Sequence, residues 1–77
     1  MATTVEQLIT LAAKRFEKDA TLLSAEGDVF ESLGIDSVQV LSLLSELESH
    51  FDVEVPDYEL RDVRTFKQLA EAIERRR

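Results

Sequence analysis

Three times in this 77-residue chain a capping residue is followed three places on by Glu or Gln, and then by apolar residues at helical spacing. Thr3 and Thr4 precede Glu6 and Gln7, two overlapping versions of the pattern; Asp36 precedes Gln39; Thr65 precedes Gln68. In such a box the first side chain takes an otherwise unpaired amide of the opening turn, and the second reaches back to the cap's own amide. Val5, Leu8, Ile9, Ala12 and Phe16 follow the first box and predict a helix from about Thr4 to Lys18. Val40, Leu43, Leu44, Leu47 and Phe51 follow the second, with Asp36 as N-cap. Phe66, Leu69, Ala70 and Ile73 follow the third and predict a last helix to about Arg76. Its C-terminal arginines, Arg75 to Arg77, suit the negative end of the helix dipole.

Between the first two helices, Asp19 to Ile35 has no sustained period. It holds Gly27 and Gly34 and carries apolar anchors at Leu22, Leu23, Val29, Phe30, Leu33 and Ile35. Those anchors predict a long loop packed over the core, with room for a short helical turn; loops of this length are usually functional. Val53 and Val55 continue in extended form to Pro56, which can start a helix but not continue one. The expected architecture is all-α: one domain over 1–77, a small bundle of three main helices plus a short helix near Pro56 to Arg61. The expected core is Leu8, Ala12, Phe16, Phe30, Leu33, Leu44, Leu47, Phe51, Val55, Leu60, Val63, Phe66, Leu69 and Ile73. Those stripes leave little room for a bound cofactor, so any cavity must open between helices and be lined by the same aliphatic residues.

Composition removes most chemistry. With no cysteine there is no disulfide, thiolate metal site or cysteine nucleophile. His50 stands alone near the end of the second helix, where a surface or C-terminal capping role is expected. Glu46 and Glu48 are two apart on a helix and do not share a side. No nucleophile–base pair, paired-carboxylate site or metal set is seen, so the chain is not expected to be an enzyme. No secretory leader or apolar run of membrane-spanning length is seen, and the expected location is cytoplasmic. The net charge is −7. Eleven acids (Asp19, Glu26, Asp28, Glu31, Asp36, Glu46, Glu48, Asp52, Glu54, Asp57 and Glu59) stand between Asp19 and Leu60 with no Lys or Arg among them. Such a field disfavours nucleic acid and anionic lipid and favours basic protein surfaces.

One residue is left to carry function. Ser37 follows the Gly34 turn at the start of the second helix, where unpaired amides and the helix dipole favour a phosphate. Phe30-Glu31-Ser32-Leu33-Gly34-Ile35-Asp36-Ser37-Val38, then Glu46-Leu47-Glu48, then Phe51-Asp52-Val53-Glu54-Val55-Pro56, resembles an acyl carrier protein. That resemblance extends over most of the chain. It implies that Ser37 is esterified by 4'-phosphopantetheine, taken from coenzyme A by a phosphopantetheinyl transferase. The arm's thiol would then hold acyl groups as thioesters for fatty-acid, polyketide or related enzymes with basic docking patches. Asp36 would flank the attachment. Val38, Gln39, Leu41, Ser42, Glu46 and Glu48 would meet partners, and the carrier would be a monomer. Gln39, Ser42, Ser45 and Ser49 are neutral where fatty-acid carriers often have acids, which points to a specialised pathway. Two alternatives stay open: an aminoacyl or peptidyl carrier of a nonribosomal pathway, and an unmodified acidic helical interaction module.

Overall fold

A computed structural model describes residues 3–77. Four α-helices follow in order: α1 (Thr4–Arg15), α2 (Val29–Leu33), α3 (Ser37–Phe51) and α4 (Phe66–Arg76). Two 3₁₀ turns, Ala20–Leu22 and Asp57–Asp62, sit in the connections. The all-α expectation holds: no strand is present among the described residues, only an isolated bridge between Asp28 and Thr65. All three capping boxes form, at Thr3/Glu6, Asp36/Gln39 and Thr65/Gln68. Helix α1 packs against both α3 and α4.

Helix α1 stops at Arg15, three residues short of the predicted Lys18. Phe16 is the C-cap, Glu17 turns left-handed at φ 55°, and the Lys18 amide donates to the Ala13 carbonyl at 2.8 Å. Helix α2 ends the same way through Gly34, with Ile35 donating to Phe30, and α3 through Asp52, with Val53 donating to Glu48. This closure satisfies terminal carbonyls and normally uses glycine. Here Glu17 and Asp52 take the strained position, so two of the three stops carry no glycine signal.

The long loop is fastened to the start of α4. Val29 donates to the Arg64 carbonyl at 2.7 Å, Phe66 to Gly27 at 3.3 Å and Lys67 to Ala25 at 2.9 Å. The ion pairs Arg64–Asp28 (3.6 Å) and Lys67–Glu26 (3.9 Å) flank this seam. The loop therefore packs over the core as expected, and its short helical turn is the five-residue helix α2. One correction is needed: Leu22 is no anchor, being 81 % exposed. Successive residues of a 3₁₀ turn point about 120° apart, and Leu23 is the one that packs against the core.

The core was overdrawn toward large residues. Phe16, Phe30, Phe51 and Leu60 are only partly buried, at the margin of a core that includes Val29, Val40, Leu43, Val53, Ala70 and Ala72 instead. The three rings reach the surface, and each is covered by a guanidinium: Arg15 over Phe16, Arg64 over Phe30 and Arg77 over Phe51, at 5.6–5.8 Å. Such stacking lets a ring stay half-exposed at little loss. The other ten expected core residues are buried.

Candidate functional site

Ser37 is presented by two helix ends meeting. Helix α2 closes through Gly34, whose φ of +65° is a conformation that side chains oppose; a Cβ there would meet nothing within 4 Å, so backbone conformation and not space selects glycine. The chain then turns through Ile35 to Asp36, the N-cap of α3. The Asp36 carboxylate accepts the Gln39 amide at 3.0 Å, and the Gln39 side-chain oxygen accepts the Asp36 amide at 3.2 Å. Ser37 is the first residue of α3 and is exposed. The opening-turn amides of Ser37 and Val38 have no acceptor within the helix.

Ser37 also opens onto a cavity of about 220 Å³. Its walls are Val29, Phe30, Val40, Leu60, Val63 and Leu69, and Ser37, Leu41, Asp57 and Arg61 line it on the exposed side. It opens between helices and is lined by aliphatic residues, as the stripes required, but it is roomier than they suggested. An apolar cavity of about 150 Å³ already takes a molecule such as benzene.

One wall of this cavity is the Asp57–Asp62 turn, and a clasp holds that turn to α4. The Glu59 carboxylate accepts from Arg76 Nε at 2.9 Å and lies 3.6 Å from Arg75 Nε. Arg76 also donates to the Tyr58 hydroxyl at 3.3 Å. The hydrogen bond from Arg76 holds the Glu59 carboxyl below its ordinary value of 4.5, with the charges of Arg76 and Arg75 acting in the same direction against the cost of burial. A group whose folded pKa is lowered stabilises the fold above its unfolded pKa, and that stabilisation is lost as pH falls through the folded one. Glu6, lowered by the Thr3 amide, and Asp19, lowered by the Thr21 hydroxyl, act with the same sign. Glu59→Gln is therefore expected to lower Tm near pH 7, with the gap from wild type narrowing as pH falls below about 4.5. Melting curves at several pH values check this; an equal gap near pH 7 and near pH 3 would show that the carboxylate charge contributes nothing.

The predicted partner residues separate into two sets. Val38 (72 % exposed), Leu41 (44 % exposed), Ser42 and Glu46 lie along one exposed side of α3 at three- and four-residue spacing. Arg15 reaches this side from α1, donating to the Ser42 hydroxyl and pairing with Glu46 at 3.5 Å. Gln39 is exposed but its side-chain oxygen serves the capping box. Glu48 is turned inward: its carboxylate accepts the Val55 amide at 2.7 Å and fixes the segment that follows α3. His50 is exposed, with its ring edge-on to Phe51 at 4.8 Å. No cluster of His, Cys, Asp and Glu suited to a metal ion occurs among the described residues. Arg15, Asp57 and Arg61 were missed in the sequence because each reaches the site from another element, and periodicity within α3 carries no trace of them.

Known proteins match most of the chain. The family model for the phosphopantetheine attachment site covers residues 6–73. The acyl carrier protein of Syntrophobacter fumaroxidans is 33 % identical over 63 residues, 82 % of this chain and 78 % of that protein. The acyl carrier protein homolog of Mycoplasmopsis pulmonis is 32 % identical over 71 residues, 92 % of each chain. The acyl carrier protein of Helicobacter hepaticus is 31 % identical over 71 residues, 92 % of this chain and 93 % of that one.

Proposed function

The chain belongs to the acyl carrier protein family, and from that premise we propose that it carries acyl groups on an arm at Ser37 for a specialised fatty-acid, polyketide or related pathway. Members of this family are carriers and not enzymes, and their prosthetic group is covalently attached 4'-phosphopantetheine. The arm supplies a thiol for thioester formation, the sulfur that a chain without cysteine lacks.

The observation that carries the assignment to Ser37 is its position: an exposed hydroxyl at the first residue of α3, beside an apolar cavity. These residues fit the group. The hydroxyl is open to a transferase, and the α3 dipole and free amides of the first turn favour a phosphodiester by up to about 1 kcal/mol. Asp36 shapes the turn by capping α3, so it holds the serine in place whatever further part it takes in loading. The cavity accepts a short acyl chain along Val29, Val40, Val63 and Leu69, which shelters it from water.

Partner enzymes with basic patches approach the α3 side that carries Val38, Leu41, Ser42 and Glu46. Arg15 already engages Glu46 and Ser42, so contact there leans on the exposed Val38 and Leu41 and less on charge. Glu48 supports this side indirectly by tying down Val55. The carrier acts as a single-domain monomer in the cytoplasm; no helix among the described residues is long and apolar enough to cross a membrane.

Incubation with coenzyme A, magnesium and a broad-specificity phosphopantetheinyl transferase, followed by intact mass, tests the proposal. The expected result is one added phosphopantetheine per chain, with a thiol that then accepts acyl groups. No added mass with several transferases would overturn it and leave an acidic helical interaction module.

A further inference from the structure

Arg61 differs from the other five arginines in having nothing to hold. Arg15 engages Ser42 and Glu46, Arg64 pairs with Asp28 and covers Phe30, Arg75 and Arg76 clasp Glu59, and Arg77 covers Phe51 and donates to the Thr4 hydroxyl. The Arg61 side chain makes no hydrogen bond, ion pair or ring contact with any described residue. Yet it is not remote from function: it lines the same cavity as Ser37, and among the described residues it is the only basic one that does.

The charges around Ser37 explain why a free cation matters there. Asp36 immediately precedes the serine, and Asp57 lines the same cavity. Arg61 is the first basic residue after the eleven acids that run from Asp19 to Leu60. An anion attached to Ser37 would share its surroundings with these two carboxylates, and the favourable end of α3 is already shared with the Asp36 side chain. A guanidinium meets phosphate oxygens through paired N–H donors, and its aliphatic stem can lie along an apolar wall such as Leu60 and Val63.

We propose that Arg61 receives the phosphodiester of the arm on Ser37 and so aims the arm along the cavity. This rests on the attachment of the arm to Ser37. The turn that carries Arg61 is the one clasped to α4 through Glu59, so its side chain springs from a fixed piece of backbone at the cavity's lining. Arg61→Lys keeps the charge and loses the fork; Arg61→Gln loses both.

The experiment uses nitrogen-labelled wild type, Arg61→Lys and Arg61→Gln, each before and after loading, with intact mass recorded first. The wild-type Arg61 Nε–Hε signal, identified by its absence in Arg61→Gln, is expected to shift on loading and to exchange several-fold more slowly with water. The phosphorus resonance of loaded Arg61→Gln is expected to move away from that of wild type, with Arg61→Lys between them. Both differences shrink in about 0.5 M salt, where the screening length falls well below 10 Å. Added mass with coincident phosphorus signals and an unmoved Arg61 signal would overturn the role of Arg61 alone. No added mass in any of the three proteins would overturn the attachment to Ser37, and this role with it.

Discussion

Ser37→Ala is expected to abolish loading completely while leaving the fold as it is. The two halves of that result rest on different observations. The hydroxyl oxygen is the only heavy atom removed, and at the proposed attachment point nothing can replace it. The fold does not depend on it, because the N-cap of α3 is Asp36 and its partner is Gln39, at 3.0 and 3.2 Å, with the Ser37 hydroxyl making no bond to any described residue. The residue is exposed, and alanine is the strongest helix former, so the expected change in stability lies within about 0.5 kcal/mol. Ser45→Ala, also exposed on α3, is the matched control and is expected to load like wild type. Intact mass and helical circular dichroism check both proteins. Residual loading of Ser37→Ala would mean a second acceptor, and a collapse of its helical signal would mean that the serine holds the fold and is not merely displayed by it.

The parts of this site that were legible in the sequence are those set within four or five residues of one another. Capping boxes are local, so Asp36–Gln39 and Thr65–Gln68 were read from spacing alone and formed as read. The three long apolar stripes were legible because a helix repeats its face every three to four residues. The short helical turn allowed for in the long loop could not be placed, because Val29–Leu33 is barely more than one turn, too short to show a period. The end of α1 was hidden because Glu17, with no glycine in sight, takes the left-handed stop. The cavity and its surroundings are a product of packing. Ser37 and Arg61 line one cavity only after the segment following α3 has been fixed by the bond from Val55 to Glu48 and by the Glu59 clasp. A carboxylate that looks like a docking residue by position, as Glu48 does, proves to be committed to the backbone once that segment folds back.

The largest loss of stability is expected from Phe66→Ala. A chain of this size is held by roughly 4–12 kcal/mol in total, at about 0.05–0.15 kcal/mol per residue, and removing a buried phenyl ring costs about 3–5 kcal/mol. Phe66 is the largest of the fully buried side chains, at 0 % exposure, so its site has no solvent to fill the space it leaves. Its position makes the loss felt well beyond α4. Phe66 opens that helix, and its amide, with those of Val29 and Lys67, stitches the long loop to the bundle through Gly27, Arg64 and Ala25. One turn further on, Leu69 forms a wall of the cavity beside Ser37. Urea unfolding in the cold measures the change, and a loss below about 1 kcal/mol would show that the ring is not the centre of the core. The variant also separates folding from attachment. Phe66→Ala retains the Ser37 hydroxyl and its cap, so the fraction that remains folded is expected to load, whereas Ser37→Ala is fully folded and is expected not to.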